Sequence, residues 1–255
     1  MPSFVEVADR VWVARYQRHD VNVSVVEGEL GLVVVDTNSA AGIAETMEDL
    51  RRLSPRPVVA IVNTHAHFDH VEGNSTLRET YDGPPVTAHE SAAAAIEPPP
   101  GRTFSSVATI DLGDRALELV HPGRGHTDGD LVVRVEGADV LLAGDLVEES
   151  AAPAYGKDSF PMDWPLSLDL VLDLVGAATV VVPGHGAPVD RTFVEEQRAA
   201  IGVVAETIRD LASRGVRVDD ALGETQWPYP AEVLEHAVRR GYAHLPRSQK
   251  RLPLL

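Results

Sequence analysis

The chain has 255 residues, of which 44% are hydrophobic and 24% charged, enough for one sizeable core. Its longest apolar runs, such as residues 32–35 and 58–62, have the length of strands and fall far short of the roughly 20 residues that span a bilayer. The formal net charge of −17 repels phosphate backbones and anionic membrane surfaces. Composition therefore predicts a single domain over residues 1–255 and excludes transmembrane helices, while nucleic acid and membranes are not expected as partners.

Cysteine is absent, which excludes disulfides, thiolate metal ligands and cysteine nucleophiles. Any metal site must therefore use histidine and carboxylate side chains. The first fifteen residues contain charges and no basic stretch followed by an apolar segment, so we expect a cytoplasmic protein. The sequence leaves homo-oligomerisation open.

Apolar periodicity predicts a strand-rich chain with helices between strands. We expect strands at residues 5–13, 21–25, 32–35, 58–62, 86–88, 117–120, 131–135, 140–142 and 180–182. We expect helices at residues 43–53 and 166–175, and irregular segments at residues 97–101 and 148–163. Helical spacing at residues 193–211 and 233–238 divides the domain into a core of about residues 1–190 and a helical C-terminal extension of about residues 191–255.

A dense group of potential metal ligands follows one of the predicted strands. The segment Thr64-His65-Ala66-His67-Phe68-Asp69-His70 places four such side chains within six residues. Alternate residues of an extended segment point the same way, so His65 and His67 can hold one ion while Asp69 and His70 turn toward another. This pattern is specific enough to predict a metal site rather than a polar loop.

Three further side chains lie at the ends of other predicted strands. His126 lies in a glycine-rich loop, Asp145 follows an apolar run, and His185 lies between two glycines that allow a close backbone approach to an ion. Taken singly, His126 favours a structural role, and Asp145 is a turn residue or helix cap about as often as a ligand. Together with the histidine-rich segment they occupy four strand ends, which is where α/β sheets present their chemistry.

These motifs resemble those of the metallo-β-lactamase superfamily of hydrolases. The matching motifs, in the superfamily's order, are HxHxDH at His65 to His70, GHT at His126, AGD at Asp145 and GHG at His185. The resemblance extends to about Pro188 and implies an α/β fold, a four-layer αββα sandwich with metals at one edge between two sheets. It further implies one zinc ion held by His65, His67 and His126, a second held by Asp69, His70 and His185, and Asp145 bridging the two.

The resemblance also implies roles for carboxylates. Asp145 would bridge the ions, Asp69 would relay a proton, and Asp36 would orient a ligating imidazole from behind, although a strand-ending turn is an alternative role for Asp36. Several true β-lactamase branches have cysteine where this chain has Asp145. The chain is therefore more similar to the glyoxalase II, lactonase and phosphodiesterase branches.

The implied activity is hydrolysis of an ester, lactone, thioester or amide bond of a small molecule by hydroxide activated at two Zn²⁺ ions. The alternative is an oxidoreductase similar to the superfamily's persulfide dioxygenases. In that case His65, His126 and Asp145 would hold a single Fe²⁺ ion. Metal content and oxygen uptake distinguish the two.

The sequence predicts the substrate-contacting residues less clearly than the metal ligands. Candidates for lining a substrate pocket are Phe68, Tyr155, Lys157 and Trp164. Packing in the core is the alternative for the aromatic residues. Lactonases of the superfamily commonly place a tyrosine shortly after the bridging aspartate, whereas the nearest tyrosine here is Tyr155, so a specific lactonase assignment is not favoured.

Overall fold

The computed structural model describes residues 4–250, so both predicted limits of the domain, at 1 and 255, lie outside the described residues. The strands are β1 (Phe4–Ala8), β2 (Val11–Tyr16), β3 (Val21–Gly28), β4 (Gly31–Val35), β5 (Val58–Val62), β6 (Val86–His89), β7 (Arg102–Phe104), β8 (Val107–Asp111), β9 (Ala116–Val120), β10 (Val132–Val135), β11 (Val140–Glu148) and β12 (Val180–His185). The α-helices are α1 (Ile43–Leu53), α2 (Phe68–Val71), α3 (Asn74–Thr80), α4 (Trp164–Asp173), α5 (Arg191–Ser213) and α6 (Glu235–His244). Short 3-10 helices lie at Ala93–Ala95, Ala221–Gly223, Ala231–Val233 and Arg247–Gln249.

Hydrogen bonds connect the strands in the order β7-β6-β5-β4-β3-β12-β11-β10-β9-β8, and β2 pairs with both β1 and β3. Strands β3 and β12 are linked by a single pair, Val21 with His185. By contrast, β3 and β4 pair over five residues each, from Ser24 opposite Val35 to Gly28 opposite Gly31. This narrow link divides the strands into one half containing β1–β7 and another containing β8–β12. The candidate ligand His185 lies at the junction.

Each strand contributes to two apolar layers, because successive side chains of a strand point to opposite faces. On β4, Val33 and Val35 pack between the two halves of the sheet, whereas Leu32 and Val34 pack with α1. On β11, Leu142 packs in the central layer and Leu141 packs with α4 and α5. The resulting order of helices, sheet, sheet and helices confirms the predicted four-layer αββα sandwich.

Most predicted elements are present with shifted ends. Helix α4 begins two residues before the predicted position because Pro165, in the first turn, is compatible with a helix start. Helices α5 and α6 confirm the helical character of the C-terminal region, and α5 buries Val194, Ile201 and Ile208 against the second half of the sheet. None of the helices within residues 4–250 combines the length and apolarity needed to cross a membrane.

Four elements are not predicted from the sequence: β7, β8, α2 and α3. Strand β7 has three residues and β8 is a mostly exposed strand at the end of the sheet, so neither gives a strong apolar signal. Helices α2 and α3 span four and seven residues, too few for helical periodicity to be visible. Helix α2 nevertheless orients part of the histidine-rich segment.

The expectation that Asp145 lies at a strand end is wrong. Strand β11 continues through Asp145 to Glu148, with its pairing to β12 shifted around Gly144. Gly144 has a φ of 53°, in the left-handed region that favours glycine, and therefore permits this irregularity. The shift bends the strand at the residue before Asp145, so that a polar side chain can turn toward the edge of the sandwich without ending the strand.

Candidate metal centre

All the side chains predicted as metal ligands lie together at one edge of the sandwich. Ligand atoms within 4.8 Å of one another define three groups, two of which together contain every predicted ligand: His65, His67, His126 and Asp145, here called the first set, and Asp69, His70 and His185, here called the second set. The membership of both groups matches the division implied by the resemblance.

Separate elements position these side chains. His65 and His67 follow β5, Asp69 and His70 lie on α2, His126 lies in the loop between β9 and β10, Asp145 lies on β11, and His185 is the last residue of β12. Gly184 is required for this approach, because a Cβ there would overlap Oδ1 of Asp145. Asn22 holds the backbone around His185 by donating from Nδ2 to the carbonyl oxygens of Pro183 and Gly186, both at 2.9 Å.

Asp145 lies between the two sets. Its Oδ2 is 3.7 Å from Nε2 of His65 and 3.3 Å from Nε2 of His126. The same carboxylate lies 3.2 Å from Nε2 of His70, through Oδ1, and 3.3 Å from Nε2 of His185, through Oδ2. Asp145 is thus placed to contact ligands of both sets, as a bridging carboxylate must be.

The hydrogen bonds behind four of the imidazoles assign their protons. His126 and His185 donate from Nδ1 to the carbonyl oxygens of Ala154 and His19, both at 2.9 Å. His70 donates from Nδ1 to Asp36 at 2.8 Å, and His67 donates from Nε2 to Asp158 at 3.0 Å. A neutral imidazole carries one proton, so each of these rings turns an unprotonated nitrogen toward the centre.

His65 completes the pattern through a hydroxyl group. Thr64 Oγ1 donates to Asp36 at 2.8 Å and therefore accepts from Nδ1 of His65 at 3.1 Å. The inner Nε2 of His65 then carries a lone pair. In its neutral form, which is the form that binds a metal ion, every imidazole in the two sets thus presents a lone pair to the same small volume.

Such an arrangement fits a bound cation. Nε2 of His126 and Nδ1 of His67 are only 2.8 Å apart, although the outer hydrogen bonds leave neither with a proton to share. Nε2 of His65 and Oδ1 of Asp145 are buried without a hydrogen-bond partner in the part of the chain that the structure describes. Imidazole nitrogens together with carboxylate oxygens form a donor set suited to Zn²⁺ and to other first-row divalent metals.

Burial and mutual contact move the pKa values of these groups in opposite directions. Burial lowers the pKa of His126 to about 4 and that of His65 well below its usual value. Burial also opposes the charged form of His185, but contact with Asp145 outweighs it and raises the pKa to about 9. A metal cation would supply the positive charge that the carboxylates otherwise draw from protonated histidines.

Asp36 occupies the position expected of a residue that orients a ligand. Its side chain is buried and accepts from Nδ1 of His70, from Oγ1 of Thr64 and, through Oδ1, from the backbone N–H of Thr64, each at 2.8 Å. The carboxylate therefore fixes His70 directly and His65 through Thr64.

The four candidates for a substrate pocket separate into two pairs. Trp164 is fully buried in the core and donates from Nε1 to the carbonyl oxygen of Leu146 at 3.2 Å, and Tyr155 is buried against it with ring centroids 5.1 Å apart. The expectation that these two line a pocket is wrong, because the irregular segment folds its aromatic side chains inward. Phe68 is 50% exposed beside the metal centre, and Lys157 is also exposed.

Two acidic residues beside the centre are not among the predicted sites. Glu148 is buried, lies with Asp145 and His185 in a further group of potential ligands, and has its pKa raised to about 7 by burial. Asp158 contacts His67 from the irregular segment, and the hydrogen bond from His67 lowers its pKa to about 2. Strand alternation alone would place Glu148, three residues after Asp145, on the opposite face, and no local pattern marks Asp158.

Comparison with known proteins places these observations in a family. The model of the metallo-beta-lactamase superfamily matches residues 16–185. A type 2 metallo-beta-lactamase of Bacillus cereus is 32% identical over 171 residues, covering 63% of this chain and 65% of that protein, so the chain spans less than two thirds of this relative's length. A hydroxyacylglutathione hydrolase of Gloeobacter violaceus is 37% identical over 115 residues, covering 44% of this chain and 42% of that protein.

The solved structures agree with this assignment. A metallo-beta-lactamase from Pontibacter korlensis superposes with a TM-score of 0.70 at 25% identity, covering 78% of this chain and 98% of that one. The fold, the grouped ligands and the family match over more than half of the sequence lead to one conclusion: this chain belongs to the metallo-beta-lactamase superfamily.

Proposed function

We propose that this protein is a dinuclear zinc hydrolase that cleaves an ester, lactone, thioester or amide bond of a small molecule. The first set would hold one ion and the second set the other, with Asp145 shared between them. The observation that carries the proposal is the outer hydrogen-bond pattern, which in the neutral rings turns an unprotonated nitrogen of every proposed ligating imidazole toward the two carboxylates Asp69 and Asp145.

Bound zinc ions lower the pKa of a coordinated water toward neutrality and polarise a substrate oxygen. The remaining tasks fall to the side chains. Asp69 places Oδ2 3.6 Å from Nε2 of His185, and a carboxylate has two oxygens. One oxygen of Asp69 can therefore serve as a ligand while the other accepts a proton from the attacking water and passes it to the leaving group.

The opening of the centre supplies an apolar wall for the substrate. The exposed ring of Phe68 meets the ring of His19 edge to face, with centroids 4.9 Å apart. His19 is held there because its carbonyl oxygen accepts from His185. We expect this pair to contact the acyl portion of a substrate whose scissile bond lies over Asp145.

Two features favour a main substrate other than a β-lactam. Asp145 occupies the position at which several β-lactamase branches have cysteine, and 115 residues of the chain are 37% identical to a hydroxyacylglutathione hydrolase. Similarity to a type 2 metallo-beta-lactamase makes β-lactams necessary members of any substrate panel.

The test is reconstitution of metal-free protein with zinc, followed by turnover of a panel of esters, lactones, thioesters and β-lactams. We expect hydrolysis that depends on zinc and is lost in His67→Ala and His185→Ala, one variant for each set. His236→Ala is the matched control, since His236 is exposed on α6 outside both sets. A protein that binds zinc stoichiometrically and hydrolyses nothing in the panel contradicts the proposal.

The same samples distinguish the iron-dependent alternative. A mononuclear persulfide dioxygenase would contain one redox-active iron on His65, His126 and Asp145 and would consume oxygen. It would also retain activity when the second set is broken by His185→Ala. Because those dioxygenases keep the same sequence motif, the metal content and the response to His185→Ala distinguish the two activities.

A further inference from the structure

The irregular segment at residues 149–163 contacts the first set at two points. The carbonyl oxygen of Ala154 accepts from Nδ1 of His126, and Oδ2 of Asp158 accepts from Nε2 of His67 at 3.0 Å. This segment therefore holds two of the three histidines of the first set. Asp158 lies 91 residues away from His67 along the chain.

His67 needs such a contact more than the other ligands do. Its side chain is 32% exposed, compared with 13% for His185 and at most 2% for the other three histidines. Packing fixes the orientation of a buried imidazole, but it cannot fix a ring with a third of its surface in solvent. Without the hydrogen bond from Nε2, the proton of His67 can also reside on Nδ1, which is the nitrogen facing His126.

A carboxylate already performs this task in the second set, where Asp36 accepts from His70 at 2.8 Å. In the first set, the outer partners of His65 and His126 are a hydroxyl and a backbone carbonyl. Asp158 is therefore the carboxylate that accepts directly, from outside the centre, from an imidazole of the first set. A carboxylate behind a ligating imidazole raises the basicity of the ring and fixes its tautomer.

We propose that Asp158 is a positioning residue that holds His67 with Nδ1 toward the metal centre and so raises the affinity of the first set for its ion. The inference rests on the proposed metal-binding role of His67. The segment after β11 would then contribute to metal binding as well as forming the rim of the site.

The experiment measures metal affinity and does not depend on activity. The His185→Ala background breaks the second set and leaves the first, and the His126→Ala background does the reverse. Zinc affinity is measured in both by competition with a chromophoric chelator. We expect Asp158→Ala to weaken binding about 10- to 100-fold in the His185→Ala background and to leave it unchanged in the His126→Ala background.

Two further variants control for charge and folding. Asp163→Ala removes the same charge from the same segment, at a carboxylate that pairs with Arg124, and should leave zinc affinity unchanged. Asp158→Asn keeps an amide oxygen that can accept from His67 and should lose less affinity than Asp158→Ala. If Asp158→Ala does not fold, Asp158→Asn carries the test on its own, with a loss of at least a few-fold expected.

A spectroscopic signature separates positioning from general stabilisation. Long-range ¹H–¹⁵N spectra of the metal-free protein, recorded at a pH high enough for His67 to be neutral, should show His67 protonated at Nε2 in the wild type and a mixture of tautomers in Asp158→Ala. Unchanged zinc affinity in the His185→Ala background, or equal losses in both backgrounds, overturns the proposal. Failure of the ligand assignment is distinguishable, because His67→Ala would then also leave the affinity of the first set unchanged.

Discussion

Asp36 and His70 are joined by a buried hydrogen bond of 2.8 Å between Oδ2 and Nδ1. When His70 is neutral, the bond places its proton on Nδ1 and leaves Nε2, which lies 3.2 Å from Asp145, free to bind a metal ion. A residue at the end of β4 thereby determines which nitrogen α2 presents to the second set.

Asp36→Asn is expected to weaken zinc binding by about 10- to 100-fold, at the second set through His70 and at the first set through Thr64 and His65. The amide replaces one carboxylate oxygen with an NH₂ group, which cannot accept from His70 or Thr64. Chelator competition on the metal-free proteins measures the change. Asp49→Asn is the matched control, because Asp49 is also buried but contacts Tyr16 and Arg52 away from the centre. Equal affinities in Asp36→Asn and the wild type would exclude the orienting role.

Asp145→Ala is expected to abolish hydrolysis while leaving the secondary structure intact. Removing Asp145 takes a ligand from the first set and the proposed bridge to the second, whereas the apolar layers of the sandwich do not depend on it. Circular dichroism and turnover should therefore respond differently. Retention of more than about a tenth of the wild-type kcat, a loss of less than about 1.4 kcal/mol in transition-state stabilisation, would argue against the bridging role.

Trp164→Ala and Phe68→Ala are expected to have opposite consequences. Trp164 is fully buried, so truncation should lower the free energy of unfolding by about 3–5 kcal/mol. Phe68 is half-exposed at the opening, so its truncation should change stability by less than about 1 kcal/mol and act on KM. Urea denaturation and steady-state kinetics on both variants check this division. If Trp164→Ala were as stable as the wild type but had a changed KM, Trp164 would contact the substrate rather than stabilise the core.

Asp130 is expected to make the stability of the metal-free protein depend on pH. Burial raises its pKa to about 7, although its carboxylate accepts from the backbone N–H and the hydroxyl of Thr127. The folded protein therefore retains a proton that the unfolded chain releases above about pH 4, and stability is lost as the pH rises toward 7. The loss should approach about 1.4 kcal/mol per pH unit and level off above pH 7.

The matched comparison is Asp130→Asn, which cannot release that proton. Urea denaturation of both metal-free proteins between pH 5 and 8 should show the wild type losing stability relative to the variant. A difference that stays constant over this range would mean that Asp130 is ionised throughout. The metal-free proteins are required because bound dications would lower the pKa of a nearby carboxyl group.

Most of the candidate metal ligands can be predicted because they lie in short sequence motifs. His65, His67, Asp69 and His70 lie within six residues, and His126 and His185 have glycine neighbours that allow close approach. Alternating apolar residues likewise predict the strands, since the two-residue period of a strand needs no knowledge of its partners.

The remaining features depend on contacts that no local pattern encodes. Asp158 meets His67 across 91 residues, and the irregular segment that contains it folds Tyr155 and Trp164 into the core. Strand β11 passes through Asp145 because pairing with β12 resumes beyond Gly144. Both outcomes follow from tertiary packing, which outweighs the local turn signals in these stretches.

Zinc titration of the metal-free wild type, His126→Ala and His185→Ala is the most direct test of the central claim that two complete ligand sets share Asp145. The account predicts an endpoint of two ions per chain for the wild type and one for each variant, with zinc-dependent hydrolysis in the wild type alone. A wild-type endpoint of one ion per chain that is unaffected by His185→Ala, or a protein isolated with one iron and consuming oxygen, would contradict it.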